Sequence, residues 1–374
     1  MNKKSILLMF HCKQDTGYAI EKLESVFQRA ALKAGYAAEN ILFSYPEVTK
    51  PDHRTLRLPY QSPQTLNDLK AIIRQHSVET IIAFDLPFPS PIARTARSEG
   101  VSNLIAYWGA SMSNLNKGLK LLVKKAEYTL KKSGTANMYV FESKAMQLTA
   151  THGRGIPAKR TCVVPLGVDL DIYTPSQHKA YAKKALDLPE NRKIIFYSGH
   201  MEERKGVRTI IKAALHLAER NAISDLHFVL CGNRGNEADT YLEDLKESTA
   251  KNHVTFAGYR KDIAELMRSS HLGVIASTGW DSFTRSSVEM LSSGLPLIVS
   301  NLGGLAETTI HDRTGWLIEP GDFEALSEYI RRIIDDVKMY ESFSTAARTH
   351  AIQTFSEERQ ISKLSELIKM DNNE

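Results

Sequence analysis

From Ser5 onward, short apolar runs alternate with stretches in which apolar residues return every three or four positions. The first pattern reads as buried strands, the second as helices with one face in a core. In the first half, strands are expected at Ser5–Phe10, Ile41–Tyr45, Thr80–Phe84, Asn103–Tyr107, Asn137–Phe141 and Thr161–Val164, and helices at Tyr18–Ala34, Thr65–His76 and Leu115–Lys131. Pro165-Leu166-Gly167 breaks the alternation, and Tyr173-Thr174-Pro175-Ser176 reads as the start of a linker. The alternation then restarts with strands at Lys193–Ser198, Leu226–Leu230, Val254–Ala257, Leu272–Ala276, Pro296–Ser300 and Gly315–Ile318. Helices are expected between them at Val207–Arg220, Ala238–Ala250, Ile263–Arg268, Thr284–Ser292 and Phe323–Asp335, and then through Met339–Lys369 except near Thr354–Ser356. Strands alternating with helices predict an α/β protein of two Rossmann-like domains, 1–175 and 176–350, with a final helix in 351–374 expected to pack back on the first. Ligands bind beyond the carboxyl ends of parallel strands, so two such edges facing each other predict one deep cleft.

A chain of 374 residues suits two domains, and 42% hydrophobic with 24% charged residues is ordinary for a globular protein. No apolar run approaches the length that spans a bilayer. The lysines at 3 and 4 precede an apolar run, but that run ends at His11-Cys12-Lys13 without a small-residue cleavage site, which favours a buried first strand over a signal peptide. Cys12, Cys162 and Cys231 form no disulfide or zinc spacing, so a reducing, cytoplasmic setting is expected. The formal net charge is +5, but up to Asp187 there are 26 Lys and Arg against 15 Asp and Glu, or +11, leaving −6 for the remainder. Two lobes with different partners, or plain surface drift, would both give that asymmetry.

Three clusters carry candidate chemistry. Gly199-His200-Met201-Glu202-Glu203-Arg204-Lys205-Gly206 leaves a strand and opens a helix, where free backbone N–H groups and the helix dipole suit an anion and Lys205 could neutralise a departing diphosphate. A turn with exposed basic residues would read the same way. In Gly279-Trp280-Asp281-Ser282-Phe283-Thr284-Arg285 and on to Glu289, Asp281 and Glu289 are eight apart, about 2.2 helical turns. They are either two carboxylates on one pocket wall, suited to sugar and ribose hydroxyls, or an N-cap and a surface glutamate. Ser300-Asn301-Leu302-Gly303-Gly304-Leu305-Ala306-Glu307 is a strand, a Gly-Gly turn and a helix start, which lets backbone amides approach a ligand closely.

The order of these clusters resembles the retaining glycosyltransferases of family 4, which have the GT-B fold. The resemblance is strong from Pro165 to about Asp335 and weak before it. It rests on Pro165-Leu166-Gly167-Val168-Asp169, Arg204-Lys205-Gly206, Val254-Thr255-Phe256-Ala257-Gly258-Tyr259, Glu289-Met290-Leu291-Ser292-Ser293-Gly294-Leu295-Pro296, Gly303-Gly304-Leu305-Ala306-Glu307 and Thr314-Gly315-Trp316-Leu317-Ile318. The resemblance implies that Lys205 holds the donor diphosphate, Glu289 the ribose and Asp281, an aspartate where the family usually has glutamate, the donor sugar. It implies backbone N–H groups for the donor from Ser282, Phe283, Thr284 and Arg285, and from Gly303 and Gly304. It further implies that Gly258, Tyr259 and Arg260 border the nucleobase and that Gly17 is what remains of a glycine-rich loop on the donor. Two positions depart from the family. Its usual phosphate arginine is His200 here, leaving His200 or Arg204 to that task. Its usual histidine after the fourth strand of the first domain aligns with Trp108, which either stacks on a sugar or belongs to the core. His11 is a second acceptor-side candidate, though a lone histidine at a strand end is more often structural.

The implied activity is hexosyl transfer from a nucleotide sugar, a UDP-sugar by weak preference, to a glycan or lipid-linked glycan in surface polysaccharide or glycolipid synthesis. No cofactor is expected. A metal-independent course is preferred because the Asp169/Asp171 pair lies in the linker and Asp335-Asp336 in a helix. Two other readings stay open: a non-catalytic GT-B subunit that stabilises a partner transferase, and a sugar-nucleotide epimerase or hydrolase. On the acceptor side, Leu115, Leu119, Leu122, Val123, Ala126 and Leu130 share one helical face among Lys117, Lys120, Lys124, Lys125, Lys131 and Lys132, with Glu127 the only acid. The α/β pattern needs a helix here, so the apolar stripe is expected to pack on its own domain while the lysines meet anionic head groups on the inner face of the cell membrane. No fold signature or aromatic-basic interleaving supports nucleic acid as a partner.

Overall fold

The computed structural model describes residues 4–60, 62–176, 179–233 and 235–370, so the lysine at position 3 lies outside the described residues. The chain divides into two compact units: residues 1–165 with 357–374, and residues 166–356.

The amino-terminal unit is built on seven strands, β1 (Ser5–Phe10), β2 (Ile41–Tyr45), β3 (Thr55–Arg57), β4 (Val78–Phe84), β5 (Asn103–Trp108), β6 (Met138–Phe141) and β7 (Thr161–Val163). They pair in parallel in the order β3-β2-β1-β4-β5-β6-β7. Every residue of β1 is buried, as a central parallel strand covered on both faces requires. The helices are α1 (Tyr18–Ala34), α2 (Thr65–His76), α3 (Pro91–Ser98), α4 (Gly118–Leu130) and α5 (Lys144–Thr151). Helix α1 buries Leu23, Val26, Phe27, Ala30 and Ala31, a stripe at three- and four-residue spacing, and ends on Gly35 in the left-handed region.

The carboxy-terminal unit carries six parallel strands, β8 (Lys193–Ser198), β9 (Leu226–Cys231), β10 (Val254–Gly258), β11 (Leu272–Ile275), β12 (Leu297–Ser300) and β13 (Gly315–Ile318), in the order β10-β9-β8-β11-β12-β13. Its helices are α6 (Ala180–Ala185), α7 (Val207–Glu219), α8 (Asp239–Leu245), α9 (Ile263–Ser269), α10 (Arg285–Ser292), α11 (Phe323–Asp335) and α12 (Val337–Thr354). Apolar cores cover both faces of this sheet. The last helix, α13 (Glu357–Lys369), belongs to the amino-terminal unit: Ile361, Leu364, Leu367 and Ile368 enter the core that contains Phe10 and Phe27. Arg29 and Lys33 of α1 pair with Glu357 and Glu358, and Asn103 Nδ2 donates to the Leu367 carbonyl at 2.9 Å. These are two Rossmann-like units of the GT-B fold class.

Three differences from the sequence reading are physical. The unit boundary falls after Pro165 rather than near residue 175, because Leu166, Val168 and Tyr173 pack with Ala347, Ala351 and Phe355 in the carboxy-terminal core. The short strand β3 and helices α3 and α5 were not expected; each has eight residues or fewer, too few to show a period. The largest departure concerns α4. Its only buried residue is Tyr128, while Leu115, Leu119, Leu122, Val123 and Leu130 are 55–86% exposed. The apolar stripe therefore does not pack on its own domain.

Candidate active site

Both sheets reverse their strand order once, between β1 and β4 in one unit and between β8 and β11 in the other. Chains leaving neighbouring strands in opposite directions open a crevice at that point. In the carboxy-terminal unit the segments that follow β8 and β11 are the first two candidate clusters.

After β8 the chain turns at Gly199, passes Glu203–Lys205 as one 3-10 turn and enters α7 through Gly206. Gly206 has φ +73°, and a Cβ there would stand 1.7 Å from the Ala276 carbonyl oxygen, so only glycine lets the segment lie against the end of β11. The Arg204 carbonyl accepts from the amides of Thr278 and Gly279 at 2.8 and 3.1 Å, which fastens the two loops together. In that frame the Lys205 Nζ lies 3.0 Å from Asp281 Oδ2, and both side chains are largely buried. Ser277 Oγ donates to the same carboxylate oxygen at 2.9 Å. The third cluster lies beneath: Gly304 N donates to the Asp281 carbonyl at 2.9 Å, and a Cβ on Gly303, at φ +53°, would come within 2.4 Å of that carbonyl. Lys205, Asp281, Gly303 and Gly304, far apart in sequence, thus form one site at the head of α7.

Asp281 is not a helix cap. Helix α10 begins at Arg285 with Thr284 in the cap position, and the Asp281 carboxylate is used on Lys205 and Ser277. Glu289 is not a surface residue either, at 5% exposure within α10. Ser282 is half-buried, and the Phe283 ring is core, meeting Phe355 edge-on at 5.8 Å. Thr284 Oγ1 is buried without a hydrogen-bond partner among the described residues. Of the two candidates for the phosphate arginine, His200 is exposed and Arg204 is engaged, its Nε 2.7 Å from Glu202 and its Nη1 donating to the Trp280 carbonyl. At the end of β10, Gly258 N donates to Asn233 Oδ1 at 3.1 Å, Tyr259 is exposed and Arg260 forms a two-pronged pair with Asp262. Asp169 Oδ1 accepts from the Asp171 and Ile172 amides, so that carboxylate shapes its own turn.

The remaining candidates lie in the amino-terminal unit. Gly17, at φ +143°, precedes α1. His11 follows β1 and meets the segment after β4, its Nδ1 donating to the Asp85 carbonyl at 3.1 Å. Burial lowers the imidazole to about 4, with the Asp85 carbonyl opposing, so His11 is neutral at pH 7 and Nε2 carries a lone pair. That Nε2 and the Trp108 Nε1 are both buried without a partner among the described residues. Trp108 packs against the core beside β4 and β5, and the next residue, Gly109, donates its amide to Asp85 Oδ1 at 3.0 Å. Burial raises the Asp85 carboxyl to about 6 and the Gly109 amide pulls the other way. Asp85 also holds φ +52°, an uncommon conformation for a residue with a side chain.

Ser277 and Asp85 were not found from sequence. A hydroxyl or a carboxylate just past a strand is common in any α/β protein; the fold of one loop brings Ser277 to Asp281, and the pairing of neighbouring strands brings Asp85 to Gly109 and His11.

Residues 179–350 match the family model "Glycosyl transferases group 1". Among curated proteins, the Escherichia coli UDP-Gal:alpha-D-GlcNAc-diphosphoundecaprenol alpha-1,3-galactosyltransferase is 28% identical over 206 residues, 55% of this chain and 53% of that protein. The D-inositol 3-phosphate glycosyltransferase of Corynebacterium glutamicum is 26% identical over 56% of this chain and 51% of its own length. The chain thus spans about half the length of these curated relatives. Among solved structures, a glycosyltransferase from Rickettsia africae superposes with a TM-score of 0.82 at 19% identity, covering 98% of this chain and 99% of the other. Anabaena HepE in complex with UDP gives 0.75 at 18% identity, with 97% and 98% covered. At such identities these structures speak to the fold.

Proposed function

We propose that this chain, whose residues 179–350 match the glycosyl transferases group 1 model, moves a sugar from a nucleotide sugar, a UDP-sugar, to a glycan or lipid-linked glycan acceptor. The observation that carries this reading is the Lys205 ammonium held 3.0 Å from Asp281 at the head of α7, at the switch point of its sheet. The relatives support it: one is named for a UDP-Gal donor and a diphosphoundecaprenol-linked acceptor, and one structure was solved with UDP.

In this reading the sugar C1–oxygen bond breaks and its electron pair passes to the diphosphate. Lys205 and the amide end of α7 stabilise that charge, so the course needs no resident metal. Asp281 accepts hydrogen bonds from the donor sugar and Glu289 from the ribose. Ser282, Phe283, Thr284, Gly303 and Gly304 offer backbone amides, His200 or Arg204 assists the phosphates, and Gly258 and Arg260 border the base. The acceptor hydroxyl attacks the face from which the diphosphate departs and passes its proton to the departing phosphate oxygen, giving retention. Gly17 serves the donor, and His11 and Trp108 serve the acceptor side. The lysines of Lys117–Lys132 meet anionic head groups at the cytoplasmic face of the membrane; among the described residues no helix is long and apolar enough to cross one.

The test is transfer from radiolabelled UDP-sugars to a diphosphoundecaprenol-linked GlcNAc acceptor, with the anomeric configuration of the product read by NMR. Retained configuration is expected. An inverted product, or free sugar with no transfer product, contradicts the reading.

A further inference from the structure

Helix α4 stands on its unit the wrong way round for a core element. At about 100° per residue, Leu119, Leu122, Val123, Ala126 and Leu130 of α4 fall within an arc of roughly 100°. Buried Tyr128 and half-buried Leu121 lie on the opposite side. There the Tyr128 ring stacks on Phe88 at 5.8 Å, and the Gly155 backbone presses against the Lys124 carbonyl group, where a Cβ would come within 2.5 Å. The helix is therefore docked through its back, and its apolar arc faces outward with Leu119 77% and Leu130 86% exposed.

The flanks of the arc are lysines. On the same periodicity Lys120 borders one side and Lys125 the other, and Lys131 and Lys132 follow directly at the end of the helix. Glu127, the single acid, is taken up by Lys124 and Lys131 at 2.7 and 2.6 Å. Lys117, Lys120, Lys125 and Lys132 have no ion pair among the described residues. Protein interfaces favour aromatic residues, methionine and arginine and are poor in lysine. This surface is the reverse: aliphatic in its middle, lysine on both edges, with no arginine or exposed aromatic ring in α4. Aliphatic side chains suit acyl chains, and ammonium groups at the waterline suit phosphates.

We propose that α4 lies in the plane of an anionic lipid surface with Leu119, Leu122, Val123 and Leu130 sunk among the acyl chains. The proposal rests on the reading of a lipid-linked acceptor and deepens it: the lipid surface is penetrated, not merely touched by lysines. Binding is then carried by two forces of different salt dependence, since charge attraction is screened and apolar burial is not.

The full chain is mixed with vesicles of 30% dioleoylphosphatidylglycerol in dioleoylphosphatidylcholine, at the 30% that sets a moderate anionic charge, roughly that of an anionic leaflet. The L119S/L122S/L130S variant alters exposed side chains only and is expected to fold as the parent. It should bind at least about tenfold more weakly at low salt, because three buried leucines carry much of the partitioning. The parent should keep measurable binding in ~0.5 M salt, where the Debye length is only a few ångströms. In Leu122→Trp, indole emission should shift to the blue on vesicles and be quenched by brominated acyl chains. Serine variants that bind as the parent does, or an indole that stays in water, overturn the proposal. So does a lipid-free dimer that the same serines dissolve, since a second copy would then own the face. UDP binding by each variant is followed in parallel. Its absence in the parent would refute the transferase reading and leave the vesicle result standing on its own.

Discussion

Lys205 and Asp281 are 76 positions apart, yet they share one hydrogen bond in a nearly closed environment. Burying a charge is costly unless it is paired, so each partner makes the other tolerable. Ser277 adds a second donor to the same oxygen. Ser277→Ala should therefore lower stability by about 1.5–3 kcal/mol, the worth of a hydrogen bond to a charged group, seen as an earlier urea midpoint with unchanged slope. It should also weaken UDP-sugar turnover, because the Asp281 carboxylate would be held less firmly. Lys205 and Asp281 could be singled out in sequence because each follows a strand end ahead of a helix, and the structure brings them together. The hydroxyl of Ser277 could not, since its bond to Asp281 depends on how one loop turns, nor could the carboxyl of Asp85, whose partners follow strands that are neighbours only after folding.

Among the elements, the joint between the 3-10 turn and α7 sets the site. With φ +73° and a carbonyl 1.7 Å from where a Cβ would go, Gly206→Ala has no relaxed conformation. A loss of about 2 kcal/mol or more in chemical denaturation is expected, within the range for strained backbone plus overpacking. The strands carry their own titration. His271 accepts the Ile194 amide on Nδ1 at 3.1 Å, and burial, with nearby Lys179, Lys193 and Lys183, lowers it to about 3. His227 is lowered to about 4 by burial and by Arg192. A histidine whose folded pKa is depressed contributes stability that is complete above its unfolded value near 6.5. That contribution is lost as pH falls toward the folded values. The melting temperature should thus drop between pH 6.5 and about 4. His271→Asn keeps an acceptor for the Ile194 amide but cannot titrate, so its curve should be flatter over the same window. An unchanged slope would remove His271 from the account. At this scale the sequence pattern placed most strands and long helices, but it could not show which face of α4 turns inward. Periodicity finds an apolar face; only contacts such as Tyr128 on Phe88 show where it points.

Across the whole molecule, the amino-terminal unit is completed by the last stretch of the chain. Helix α13 buries Ile361, Leu364, Leu367 and Ile368. At about 1.5–3 kcal/mol for each fully buried aliphatic side chain, that face contributes on the order of 6 kcal/mol or more, comparable to the whole stability of many domains. A chain ending at residue 356 should therefore bind a hydrophobic dye and lose the cooperative melting of its amino-terminal unit. The two-unit α/β architecture was readable from the alternation alone. The boundary was displaced because Leu166–Tyr173 looks like linker in sequence but supplies apolar side chains to the second core.

The central claim is that the Lys205 ammonium grips a diphosphate. Calorimetric titration of UDP and of uridine into the parent chain and into Lys205→Met, with near-UV dichroism to verify the fold, tests it most directly. The parent should prefer UDP over uridine by at least about tenfold, or ~1.4 kcal/mol, and the methionine variant should lose most of that preference while still binding uridine. A folded Lys205→Met chain that keeps the full preference for UDP would contradict the account.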